Sequence, residues 1–424
     1  MKKHYNKLLD EIYYEEELAN GLKVIIFHKK DFHMTSCAFG TPYGAFDIKE
    51  RAQGKEYNFH PGIAHFLEHK LFESDHGDVM NDFFSMGASV NAFTSYRETV
   101  YYFNMTGDNI DKPLNLLLDF VQNLDITHES VEKEKGIINQ ELKMYMTMPD
   151  TKLLNETFKA LYHKYPIKYD IGGDEESVNA ITKEELETCY YINYHPSNMY
   201  LVISTYLDPS YILDIIKKNQ DSKDFVRKDI PEVIFDEEPS EVVNSDVDVK
   251  FNIFAPKHVY AIKLKPDFKD AKDALRKEWA MRILLETHFS TLNPEYQVWM
   301  DNKLINDYFG YEVDFDINVA YILFYVEGRT KAQLKELIDS SLKEKILNED
   351  ILTQIKRRFL GMAFNAFNDI DSFNLSYVRD ILGGIDIFDT IEAIDSLSLD
   401  YIYEVYNSFN YDNYSLVSIL PNNS

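Results

Sequence analysis

Residues 60–74 read HPGIAHFLEHKLFES, three histidines and two glutamates set among Phe, Leu and Ile. Pro61 and Gly62 suit the start of a helix, because proline is tolerated in a first helical turn. Helical spacing then places His65 and His69 four residues apart on one face, where two imidazoles can converge on a single cation. Zinc takes imidazole nitrogen at about 2.0–2.1 Å, so paired helical histidines form half of a metal site. Glu68, next to His69 and three residues beyond His65, falls at the rim of the same site, placed to take a proton from water. His60 and His76 flank the H-x-x-E-H motif but fall off its helical register. A catalytic zinc has three protein ligands and one open position, so a third ligand is expected from elsewhere in the first half. The stretch EKEKGIINQE carries Glu134 and Glu141 seven residues apart on one helical face. An ordinary charged helix face would carry the same pair.

Working outward, GLKVIIFHKK and MTSCAFGTPYGAFD upstream read as strands, being β-branched, aromatic and punctuated by glycine. Downstream, ASVNAFTSYRETVYYFNMTG reads as two strands joined near SYRE. KPLNLLLDFVQNL, ESVEKEKGIINQELKMYM and TKEELETCYYINY are periodic at helical spacing, and MYLVISTYL closes the half as a strand. The first domain is expected over 1–215 and a charged, weakly periodic linker over 216–250. A related second domain without a metal site is expected over 251–424. The two halves share an echo: YHPSNMYLVIS (Tyr194–Ser204) ends the first and FNYDNYSLVSI (Phe409–Ile419) ends the second, each after a helix, which points to a duplicated α+β domain.

Composition agrees with two globular domains. The chain has 424 residues, 45% hydrophobic and 14% aromatic, enough for two cores of about 200 residues each. Its net charge of −27 and lack of a Lys/Arg run exclude a nucleic-acid face and disfavour an anionic membrane surface. The opening residues have no apolar core of a signal peptide, and no apolar run is long enough to span a bilayer. Two cysteines, Cys37 and Cys189, fit a reducing cytoplasm better than a disulfide-stapled exterior, and neither stands in a Cys–His nucleophile pattern. FGTPYGAF lacks the spacing of a phosphate loop.

The combination of HFLEHKLF and EKEKGIINQE resembles the inverzincin (H-x-x-E-H) zinc metallopeptidases of the pitrilysin type, family M16. GASVNAFTSYRETVYYF is similar to the strand pair that follows their motif helix. The likeness is closest to bacterial single-repeat members, often found beside a second related chain. It implies an α+β fold of two homologous domains, each a mainly antiparallel sheet with helices, facing each other across a cleft. It implies one Zn²⁺ per chain on His65, His69 and Glu141, with Glu68 as general base and Glu134 assisting. The strand SVNAFTS is the expected docking edge, where Asn91, Ala92, Phe93 and Thr94 would line an extended peptide added as a further strand. The implied activity is endopeptidase cleavage of short or unfolded peptides. The family's Arg and Tyr of the second half have no clear match: VWMDNKLINDYF (Val298–Phe309) has no Arg, Met300 stands in its place, and Tyr308 is out of register. A related chain supplying that pair, as a heterodimer or a homodimer, is therefore expected. A non-catalytic structural subunit and a maturation peptidase dedicated to one small peptide are the competing readings.

Overall fold

The structure is a computed structural model that describes residues 1–6, 11–74 and 77–422; His76 lies outside them. The chain forms two compact units. The first comprises Met1–Leu142, Tyr169–Phe235 and Phe364–Gly384, and the second Lys143–Lys168, Asp236–Ala363 and Ile385–Ser424.

The first unit holds a sheet of β1 (Lys2–Asn6), β2 (Glu11–Glu17), β3 (Lys23–His28), β4 (Met34–Thr41), β5 (Ala88–Thr94), β6 (Thr99–Thr106) and β7 (Tyr200–Thr205), in the order β1-β2-β3-β7-β4-β6-β5. Every pairing is antiparallel except β3 with β7. The second unit holds β8 (Asp246–Phe251), β9 (Lys257–Lys263), β10 (Gly310–Phe315), β11 (Ala320–Glu327) and β12 (Tyr414–Pro421), in the order β8-β12-β9-β11-β10. Here too one pair, β8 with β12, is parallel. The run β3-β7-β4-β6-β5 is thus repeated as β8-β12-β9-β11-β10, and the echoed sequences fall on β7 and β12.

The helices that cover these sheets or carry site residues are α1 (Ile63–Leu71), α2 (His128–Tyr145), α3 (Pro149–Leu161), α4 (Lys183–Asn193), α5 (Ala271–His288), α6 (Glu349–Ala366) and α7 (Ile370–Leu382). Val24–Phe27 and Thr35–Thr41 are buried without alternation, as strands covered on both faces must be. In the first unit one face meets the core of α1, with Phe66, Leu67 and Leu71 among its residues. The other face meets α7, where Phe373 and Tyr377 set their ring edges against Phe27 at 4.8 and 4.7 Å and Asn374 accepts from Ser204 Oγ at 2.9 Å. In the second unit α3 does the same work: Phe158 lies 5.2 Å from Tyr321, edge to face.

The units are therefore not the consecutive stretches 1–215 and 251–424, since each sheet takes one covering helix from the opposite half of the sequence. Nor is 216–250 featureless. A helix ends within it at Asp221, Glu232–Val233 pairs with Lys49–Ala52, and β8 begins at Asp246. The physical reason is that a sheet with two apolar faces needs cover on both. Helical periodicity reveals an apolar stripe without naming the sheet that receives it.

Candidate metal centre

Helix α1 sorts its residues by face. Ile63, Ala64, Phe66, Leu67 and Leu71 are buried in the core, and His65, Glu68 and His69 form the remaining, partly open stripe. Pro61 lies outside the helix, and Gly62 caps it with φ 92°. A Cβ on Gly62 would lie 2.4 Å from the Gly172 carbonyl oxygen, so the entry to α1 closes against a loop that only glycine permits. Helix α2 buries Val131, Ile138 and Leu142. Glu134 and Glu141 sit beside that apolar row, partly covered, and so face α1 instead of open solvent.

The predicted groups converge. One ligand atom each from His65, His69 and Glu141 lie within 4.8 Å of one another, the only such metal-competent trio among the described residues. His69 Nε2 is 3.3 Å from Glu141 Oε2, and ligands on a tetrahedral zinc with bonds near 2.0–2.1 Å are themselves about 3.3–3.4 Å apart. His69 Nδ1 is held by Glu134 Oε1 at 3.0 Å. That contact fixes ring orientation and directs Nε2 to the site, the usual task of a carboxylate behind a metal-bound histidine. His65 has a buried Nδ1 with no hydrogen-bond partner, and its ring centroid is 4.6 Å from that of His69. Thr94 donates to Glu68 Oε2 at 2.6 Å.

The electrostatics suit a cation. Burial, reinforced by the charge of His69, lowers the His65 pKa to about 4, so the ring is neutral and ligand-competent at neutral pH. Burial opposes protonation of His69 as well. There the Glu134 hydrogen bond and the charges of Glu134, Glu141 and Glu68 outweigh it and raise the pKa. Three carboxylates crowd one imidazole, an excess of negative charge that a divalent ion would neutralise. Burial raises the Glu68 pKa against the opposing Thr94 hydrogen bond. Burial also disfavours the Glu134 carboxylate, but the bond to His69 and the charges of His69, Lys70 and Lys133 bring its pKa below the usual value.

Of the peptide-docking residues, Asn91 is exposed and Ala92, Phe93 and Thr94 are partly buried along β5, which ends the sheet. Thr94 engages Glu68 directly. His60 stands apart from the trio, with its backbone N–H donating to Glu185 at 2.8 Å and its Nδ1 2.9 Å from the same carboxylate. Met300 lies on the short helix Tyr296–Asp301. Tyr308 donates to Asp150 at 2.6 Å beneath Lys257.

Sequence reasoning missed two supports of the centre. Gly172 leaves room beside His65, where a Cβ would meet Leu142 at 2.8 Å and His65 Nδ1 at 3.5 Å; the Gly172-Gly173-Asp174 turn signal was its trace. Lys70 has its side chain fully buried directly after His69, paired with Glu73; inside an apolar run it had no signal beyond its oddity.

In the second unit, Glu286 of α5 pairs with Arg358 of α6 at 2.5 Å. Tyr311 on β10 donates to Glu286 at 2.6 Å, as Thr94 on β5 does to Glu68.

Residues 55–175 match the family described as Insulinase (Peptidase family M16). A protein of Bacillus subtilis strain 168, described as the uncharacterized zinc protease YmfH, is 34% identical over 403 residues, covering 94% of each chain. The chain belongs to peptidase family M16. Among solved structures, an M16-like peptidase from Alicyclobacillus acidocaldarius superposes with a TM-score of 0.91 at 33% identity, over 97% of this chain and 99% of that one. The M16 inactive domain from Pseudomonas fluorescens shares the fold, with a TM-score of 0.73 at 16% identity, over 96% and 98%. No described helix is long and apolar enough to cross a membrane.

Proposed function

We propose that the chain is a zinc endopeptidase that hydrolyses short or unfolded peptides in the cytoplasm, as the catalytic subunit of a two-chain enzyme. The observation that carries this reading is the convergence of His65, His69 and Glu141 beside a half-buried Glu68. These three residues would hold one Zn²⁺, which supplies Lewis-acid polarisation of the scissile carbonyl and activation of water. Glu68 accepts the proton of the attacking water and returns it to the leaving amine. The Thr94 hydroxyl holds Oε2 and leaves Oε1 for that exchange. Glu134 keeps His69 in one orientation. An extended peptide pairs with the outer edge of β5, so that backbone hydrogen bonds give affinity with little demand on sequence.

A related chain, or a second copy, contributes the Arg and Tyr. Two features support this: residues 298–309 contain no Arg, and Tyr308 is already engaged by Asp150 and Lys257. Retention of every ligand weighs against a purely structural subunit.

The test is zinc content and cleavage of a quenched peptide, by the chain alone and with its related partner. Glu68→Gln should keep one zinc per chain and lose 10²-fold or more in turnover, on the order of a general-base contribution. Zinc below one per ten chains, equal in the parent and His65→Ala, would end the proposal. Full turnover by the lone monomer would remove the partner.

A further inference from the structure

Helix α7 comes from the second half of the sequence and lies in the first unit, on β4 and β7. Near its end is Arg379, 57% exposed in its side chain. Its Nε donates to Glu98 Oε1 at 2.9 Å, and Glu98 is only 5% exposed. Glu98 ends the turn between β5 and β6, where its carbonyl also accepts from Ser95 N at 2.8 Å. The guanidinium carbon of Arg379 lies 5.6 Å from the centre of the Phe93 ring. A buried acid and an aromatic ring on the terminal strand thus hold this arginine in place.

We propose that Arg379 binds a carboxylate of a peptide lying along β5, an inference that rests on the reading of β5 as the docking edge. Nε is committed to Glu98. The two Nη groups form the planar fork that matches a carboxylate, and much of its ordering cost is already met by the Glu98 and Phe93 contacts. Successive side chains of a strand point to opposite faces. Thr94 points to Glu68, and Phe93 to the face that carries Arg379. A peptide added to β5 therefore presents alternate side chains to Glu68 and to Arg379. In a chain of net charge −27, the long-range field repels acidic peptides, so a fixed cation at this edge selects where an acidic group is tolerated. The carboxylate is that of an Asp or Glu side chain, or of the peptide's own C-terminus.

The experiment uses full-length, zinc-loaded Glu68→Gln protein, in which turnover is expected to fall 10²-fold or more, with fluorescent extended peptides and anisotropy as readout. One peptide carries a central Glu and an amidated C-terminus, one is neutral and amidated, and one is neutral with a free C-terminus. We expect one of the two carboxylate peptides to bind about 5-fold more tightly than the neutral one, the scale of a half-exposed ion pair. Which one does so identifies the source of the carboxylate. Adding Arg379→Gln should bring the ratio to 2-fold or less. Adding Arg379→Lys, which keeps a cation for Glu98 but not the fork, should leave an intermediate ratio. The inference is overturned if the neutral peptide binds as well as both others, or if the preference survives Arg379→Gln. Binding that also withstands N-methylation of alternate peptide amides removes the strand reading with it, as does failure of all three peptides to bind.

Discussion

Glu50 makes the stability of the first unit depend on pH in a direction opposite to most carboxylates. It is 1% exposed on the strand Lys49–Ala52, and Asn193 of α4 donates to its Oε2 at 2.9 Å. Burial raises its pKa from 4.5 to about 7, with the Asn193 bond opposing. Between those values the folded chain keeps a proton that the unfolded chain has lost, so stability falls as pH rises through this window. The difference of 2.5 pK units, at 1.36 kcal/mol each, amounts to about 3 kcal/mol once both states are ionised. With the residue this deeply buried, no discount for solvent screening applies. Glu50→Gln retains an oxygen for Asn193 and removes the ionisation. Urea unfolding of parent and variant from pH 5 to 8 should show the variant gaining relative to the parent as pH rises, by about 2 kcal/mol or more over the range. A difference between the two that stays flat across this range, or that shrinks as pH rises, would refute the account of Glu50 as a carboxyl kept neutral by burial.

Glu134→Ala removes the partner of His69 Nδ1 and should weaken zinc binding about 10–100-fold in a chelator competition, with one zinc still bound at saturation; unchanged affinity would deny Glu134 its orienting role. Gly62→Ala sets a Cβ 2.4 Å from the Gly172 carbonyl at φ 92°. It should lower the melting temperature and loosen zinc together, because the start of α1 must shift; a variant identical in both would show that the loop yields.

Much of the centre was legible along the chain because its information is local. Four-residue spacing on a helix needs no tertiary structure to bring His65 and His69 together, and seven-residue spacing sets Glu134 and Glu141 on one face whatever the helix later meets. The strand pair around SYRE was equally local: its turn is Ser95–Glu98, between β5 and β6. The echo near the two chain ends was legible too, and it falls on β7 and β12, the strands whose parallel pairing repeats in both sheets.

What the chain order could not convey is which surfaces meet. The covering helices α3 and α7 belong to sheets built mostly from the other half, since apolar stripes are interchangeable until shape selects among them. Thr94 read as a residue lining the docking edge, and only folding sets its hydroxyl on Glu68. Arg379, 281 residues from Glu98, reaches β5 only because α7 lies in the first unit. Residue types and spacing determined the chemistry of the centre, because helical geometry is the same everywhere. The approach of α2 to α1, the cover on each sheet and the groups along β5 were decided by packing, which depends on the whole chain at once.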